Sequence, residues 1–313
     1  MDRENEQAHL PVMPSEALDL MALKPGDVVV DCTVGMGGHS ERILENILPG
    51  GKLIAIDRDH VSLKKAEERL SRFEGSFYLF RDNFTNFKYI LQSLNIKKVD
   101  SVLFDLGISS FQLASGRGFS FREDSFLDMR MDENSNLSAY DIVNYYSERE
   151  IALIIKNFGE DRFAFRIARG IIDARKEKPI ETTKDLVDAV IKSIPRSYVR
   201  GRIHPATRTF QALRIAVNSE LENISSALSD AIEALLPEGR IVVISFHSLE
   251  DRIVKRTFRD HQKNGCFEIL TPKPISPGEL ELEMNSRSRS AKLRAGRKLK
   301  NIKNNLLLKI FML

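Results

Sequence analysis

Val28-Val29-Val30-Asp31-Cys32-Thr33-Val34-Gly35-Met36-Gly37-Gly38-His39-Ser40 is the stretch that decides how this chain folds. Three consecutive β-branched apolar residues follow the turn Lys24-Pro25-Gly26-Asp27 and read as a buried strand. The glycines then open a turn. Helical periodicity runs from about 39 to 48 and stops at Leu48-Pro49-Gly50-Gly51. The alternation continues outward: strand at 52–57, helix at 61–72, strand at 77–80, helix at 84–94, strand at 99–106. Strands separated by helices predict a parallel sheet with right-handed crossovers, so the expected fold class is α/β with a doubly wound sheet.

Beyond this the alternation stops. Residues 115–136 are rich in Gly, Ser, Asp and Arg and read as loop, whereas 139–193 carries apolar residues at helical spacing, such as Ile151, Ile154, Ile155 and Phe158. A basic connection at 195–205 leads to a long expected helix at 206–236, and a strand resumes only at 241–246. A helix at 249–263 and two short strand-like runs, 267–271 and 291–294, close the pattern. The simplest organisation is an α/β domain formed by 1–135 and 205–313, interrupted by an inserted all-helical domain at 136–204.

Composition narrows the function classes. At 313 residues, 42% hydrophobic and 29% charged, the chain has the balance of a globular protein with a sizeable core. Its two cysteines, Cys32 and Cys266, stand far apart and outside any C-x-x-C pair, which argues against a disulfide framework and a zinc site and fits a cytoplasmic setting. No metal is expected. The polar start, 1–7, does not read as a signal peptide, and the apolar stretch 306–313 is too short to cross a bilayer, so no membrane partner is expected. The net charge of +3 hides an asymmetry: residues 252–313 hold 15 Lys/Arg against 5 Asp/Glu, leaving 32 against 39 in 1–251. A local basic excess of this kind suits a polyanionic partner, or else a solvated tail.

In a doubly wound sheet, ligands bind beyond the carboxyl ends of the strands. The loop after the first strand offers glycines for close backbone approach and free N–H groups at the following helix start. A dinucleotide fingerprint G-x-G-x-x-G would need glycine where Ser40 stands. The second strand delivers Asp57, twenty residues after Gly37, where a carboxylate can accept hydrogen bonds from ribose hydroxyls. Loop and acid together imply an adenosine-type cofactor without separating S-adenosylmethionine from NAD. Phe84, after the third strand, reads equally as an adenine cover or a core ring. Asp105 ends the apolar fourth strand and faces either the cofactor's cationic end or a substrate amine. At the fifth strand's end, Ser248 and Asp251 suggest a capping box, and His247 reads first as structural and second as a proton acceptor.

These strand ends belong to longer segments that resemble the MraW family, the small-subunit ribosomal RNA methyltransferases H, over nearly the whole chain. The resemblance is carried by His9-Leu-Pro-Val-Met13, Gly35-Met-Gly-Gly-His-Ser40, Ala55-Ile-Asp-Arg-Asp59 and Phe104-Asp-Leu-Gly-Ile-Ser-Ser110. Arg117-Gly-Phe-Ser-Phe-Arg122, Leu127-Asp-Met-Arg-Met-Asp132, His204-Pro-Ala-Thr-Arg-Thr-Phe-Gln211, Ser245-Phe-His-Ser-Leu-Glu-Asp-Arg252 and Asn285-Ser-Arg-Ser-Arg-Ser-Ala-Lys-Leu-Arg294 extend it. Two departures stand out: Asn285-Ser286-Arg287 replaces the family's Asn-Pro-Arg, and 301–313 follows no family pattern. The resemblance implies a methyltransferase-type sheet with a helical insertion and S-adenosylmethionine as methyl donor. The implied reaction is methylation at N4 of one cytidine in the decoding region of 16S rRNA in the small ribosomal subunit. By motif, it implies cofactor contacts at Gly37, Gly38, His39, Asp57, Phe84, Asp105 and Gln112. It assigns no catalytic proton acceptor.

Overall fold

The computed structural model describes residues 10–108, 113, 115–199 and 204–300. The chain forms two compact units, 1–107 together with 221–313, and 108–220. The seven strands of the described residues belong to the first: β1 (Val28–Asp31), β2 (Lys52–Asp57), β3 (Phe77–Arg81), β4 (Val99–Asp105), β5 (Leu235–Ser245), β6 (Phe267–Ile269) and β7 (Lys292–Lys298). Helices of this unit are α1 (Pro14–Met21), α2 (Gly38–Ile47), α3 (His60–Leu70) and α4 (Phe87–Ser93). The second unit holds α5 (Ala139–Tyr145), α6 (Glu148–Gly159), α7 (Ala164–Glu177), α8 (Thr183–Ser193), α9 (Arg196–Val199) and α10 (Thr207–Asn218). After it come α11 (Glu220–Ala234), α12 (Ser248–Lys263) and α13 (Glu279–Met284). None of the described helices is long and apolar enough to cross a membrane.

The strand order is β3-β2-β1-β4-β5-β7-β6. β1 to β5 pair in parallel, as the helical crossovers dictate. β7 runs antiparallel to both β5 and β6, so the sheet is α/β and doubly wound but not wholly parallel. The connection from β6 to β7 explains this. Its one α-helix, α13, has six residues, and no full helix carries the chain back along the sheet. β7 therefore occupies the place that a sixth parallel strand takes in the dinucleotide-binding order 3-2-1-4-5-6.

Alternate strand residues bury on opposite faces. Val30, Ile54, Ile56, Phe104 and Val243 join one core, while Val29, Leu53, Ala55, Leu103 and Val242 join another. Burial on both faces is why these strands read as unbroken apolar runs. The strand order reverses between β1 and β4, which leaves a crevice beyond their carboxyl ends.

The helical unit is wider than the 136–204 expected from helix periodicity. Phe119, Leu127 and Met129 on one side, and Phe210, Leu213 and Val217 on the other, bury in the same core as Ile142, Ile151, Ile167 and Leu186. Asn218 ties the preceding loop to this core: its side chain accepts from the Met131 N–H and donates to the Met129 carbonyl, both at 2.8 Å. Three of its helices start with reciprocal capping boxes, Ser138 with Asp141, Ser147 with Glu150 and Thr182 with Asp185. The helix expected at 206–236 is two helices. Ser219 takes a left-handed φ of 48° and ends α10, and α11 starts at the next residue.

Candidate functional site

β1 delivers Asp31 to the switch point, and the chain turns there on glycines. Gly35 and Gly37 have φ of +51° and +82°, a region that disfavours side-chain-bearing residues. Gly37 precedes the first turn of α2, and a Cβ on Gly38 would press on Pro11 at 3.3 Å. The loop is held from β2. Val34 N–H donates to the Ile56 carbonyl at 3.0 Å, and Gly35 N–H donates to Asp57 Oδ2 at 2.8 Å. Asp57 Oδ1 accepts from Asp59 N–H at 2.9 Å. Burial outweighs these donors and pushes the Asp57 carboxyl up to about 6. Arg58 N–H also bonds this carboxylate, and of its about four lone-pair sites about one is left for a ligand donor.

The structure brings His39 and Asp105 together. His39, on the first turn of α2, is 7% exposed, and its Nε2 lies 3.5 Å from Asp105 Oδ2 at the end of β4. That separation is too long for a strong hydrogen bond. His39 Nε2 and Asp105 Oδ1 are buried with no hydrogen-bond partner among the described residues. Unsatisfied buried polar atoms are costly, so their clustering at a switch point marks where a polar ligand group would be received.

Phe84 stands at the end of β3, two strands from β1, and packs edge-on against Phe104 with centroids 5.7 Å apart. The core contact accounts for one edge of the ring. Beside it, Asp82 Oδ1 accepts from Asn83 N–H and from the Asn86 amide at 2.6 and 2.7 Å, which fixes the turn after β3. Gln112 lies outside the described residues.

Two supports of the crevice carry no signal in the sequence reading. The Thr33 hydroxyl accepts from the Asp105 N–H at 2.6 Å and so joins the ends of β1 and β4. Asp31, 1% exposed, accepts from the Ser40 hydroxyl at 2.7 Å and from Thr33 N–H at 3.1 Å, and burial raises its carboxyl above the usual range. Asp31 belonged visibly to the strand run, but its partner nine residues on is apparent only in three dimensions.

At the end of β5 the capping box sits one residue earlier than expected. His247 is the N-cap of α12: its Nδ1 accepts from Glu250 N–H at 3.3 Å, and Glu250 Oε2 accepts from His247 N–H at 3.2 Å. Its Nε2 lies 3.1 Å from Glu250 Oε1. Asp251 is released from capping and takes Arg294 through two contacts, at 2.6 and 3.3 Å. The basic segment therefore does not present its cations on one extended face. Arg294 is 5% exposed and turned inward, because β7 pairs with β5 beside the start of α12. Arg287 and Arg289 are exposed on a 3-10 turn, Ser286–Ser290.

The model of the MraW methylase family matches residues 6–299. A ribosomal RNA small subunit methyltransferase H from Sulfurihydrogenibium sp. (strain YO3AOP1) is 51% identical over 93% of this chain and 99% of its own length. The enzyme of the same name from Persephonella marina (strain DSM 14350 / EX-H1) is 50% identical, with the same coverage. A looser likeness, 12% identity and a TM-score of 0.43 over 92% of this chain and 94% of the other, is to a solved rRNA methylase from Streptococcus thermophilus. With the match running across both compact units and through the glycine loop, Asp57 and the His39–Asp105 pair, the chain belongs to the MraW methylase family.

Proposed function

We propose that this chain transfers a methyl group from S-adenosylmethionine to the exocyclic N4 of one cytidine in the decoding region of 16S rRNA, in the cytoplasm. The observation that carries the reading is the buried, unsatisfied His39–Asp105 pair at the switch point of a methylase-family sheet. The RNA substrate rests on the relatives' name, ribosomal RNA small subunit methyltransferase H. The choice of N4 and of the decoding region rests on the motif resemblance.

The residues present fit the donor. Asp57 offers a carboxylate to a ligand hydroxyl, and the glycine turn admits close backbone approach. Asp105 Oδ1 suits a cationic ammonium, and His39 Nε2 a neighbouring polar group. Gly37, Gly38, Phe84 and Gln112 complete the proposed contact set. When bound, the sulfonium supplies an activated methyl group. The protein's own task is positional. Cytosine N4 is a weak nucleophile, its lone pair delocalised into the ring, so the base must leave its stack and be held about 3–3.5 Å from the methyl carbon. The strand-bearing unit is the proposed methyltransferase domain, with the helical unit inserted in its sequence.

The test is methyl transfer from labelled S-adenosylmethionine to small ribosomal subunits lacking the modification, followed by mapping of the labelled nucleotide. The expected product is a single N4-methylated cytidine. Label on another base, or on protein, contradicts the proposal.

A further inference from the structure

α7 begins with a stripe of one charge. Arg162, just before its first turn, and Arg166 and Arg169 within it follow helical spacing and are all exposed, over about 10 Å of axis. Phe165 lies among them and is 54% exposed, so its ring is open to solvent between the cations. Lys156 of α6 reaches over that ring, 5.9 Å from its centroid. Arg162 is held in place: its guanidinium lies 4.7 Å from the Phe163 centroid and 4.9 Å from that of Tyr198, two rings that pack at 4.9 Å.

Acidic neighbours are few. Asp161 is buried and accepts from Phe163 N–H, and Asp173, one turn beyond Arg169, pairs with Lys176 at 2.8 Å and also draws on Arg169. Among the described residues, Lys156, Arg162 and Arg166 form no salt bridge. Three of the four cations around the exposed ring, Lys156, Arg162 and Arg166, therefore stand on this face without an internal ion pair among the described residues, and Arg169 shares Asp173 with Lys176.

We infer that this face of the helical unit binds RNA, with Arg162, Arg166, Arg169 and Lys156 on phosphates and Phe165 stacked on an unpaired base. The inference rests on the reading of the chain as an RNA methyltransferase and adds a second contact surface to it. Cations interleaved with an exposed aromatic ring are how proteins grip single-stranded and looped RNA. A basic protein surface would be repelled by the same four charges. The role is anchoring: it supplies salt-dependent affinity and leaves the choice of base to the crevice.

The experiment uses the full chain and measures binding, at several salt concentrations, to protein-free 16S rRNA and to small subunits lacking the modification. Arg166→Ala/Arg169→Ala should flatten the slope of log affinity against log salt by about 1.5, as two lost phosphate contacts require. KM should rise and kcat stay constant. Arg166→Lys/Arg169→Lys should recover most of the slope, because a phosphate accepts either cation. Phe165→Ala should weaken binding about tenfold with little change in slope. Melting temperature and S-adenosylmethionine affinity should match wild type in every variant. An unchanged slope in a chain whose wild type still methylates 16S rRNA overturns this inference and leaves the functional reading standing. A loss seen on subunits but not on protein-free RNA assigns the face to a ribosomal protein and overturns it too. Wild-type protein that neither binds nor methylates RNA overturns both.

Discussion

Asp105 and Asp251 stand at the same end of one sheet and live in opposite surroundings. Asp251, beside the β5–β7 pair, takes Arg294 through both oxygens, and Lys292 approaches to 3.8 Å. Asp105, at the end of β4, meets only His39 at 3.5 Å and leaves Oδ1 buried without a partner among the described residues. Residue type does not separate the two; completeness of hydrogen bonding does. A satisfied half-buried carboxylate holds the fold, and one with a buried, unsatisfied oxygen at a switch point is open to a ligand. On this ground we propose that Asp251 serves the fold and Asp105 the site.

The largest effect that could break this contrast is on stability. Asp251→Ala leaves Arg294 buried without its partner, the Arg294 side chain being 7% exposed, and should cost about 3–5 kcal/mol. Denaturant unfolding should show that loss while calorimetry shows unaltered S-adenosylmethionine affinity at temperatures where the variant is folded. A weakened affinity would place Asp251 in the site.

Asp57→Ala reverses the pattern. Removing a charged acceptor should cost about 1.5–3 kcal/mol of cofactor binding, with a smaller loss of melting temperature than Asp251→Ala, since the Gly35 and Asp59 N–H groups lose their acceptor. An unaltered affinity would remove Asp57 from the site.

pH sharpens the same point. Burial raises the folded-state carboxyl of Asp57 to about 6, above its usual value, so the proton-bound form gains in the folded chain below that pH. A hydroxyl donor needs the ionised form. Cofactor affinity should therefore hold constant above about pH 7 and fall below about 6, by at most about tenfold per pH unit. Asp57→Asn should flatten that dependence. A wild-type affinity that rises on acidification would contradict it.

The smallest expected effect concerns Arg287 and Arg289. Both are exposed, so replacing them with Ala should change stability by less than about 0.5 kcal/mol. It should flatten the salt dependence of RNA binding, by about one contact's worth for each phosphate they meet. A lower melting temperature with an unaltered slope would put them with Arg294, as structural charges.

What the sequence disclosed follows from what the physics makes local. The strands at Val28–Asp31, Lys52–Asp57 and Val99–Asp105 are buried on both faces and advertise themselves as apolar runs. The places of Asp57 and Asp105 at strand ends were legible because each closes such a run. The reversed direction of β7 was not, since a short apolar run carries no sign of its polarity. The break at Ser219 was hidden because a left-handed serine inside a helical pattern leaves the periodicity intact. His247 as a helix cap was missed because Ser248 three residues before Asp251 imitates a stronger capping signal one residue late. The burial of Arg294 depends on Asp251, 43 residues away, and no local pattern records it.

The most direct measurement is calorimetric titration of S-adenosylmethionine into Asp105→Asn, paired with its melting curve. The substitution keeps the side chain's shape and removes its charge. If Asp105 is held for a ligand, affinity should fall at least about tenfold, the weight of a charged hydrogen bond, while the melting temperature stays level or rises as an unsatisfied buried charge is lost. An unaltered affinity with a lowered melting temperature would make Asp105 another Asp251, and the division between the two sides of the sheet would be wrong.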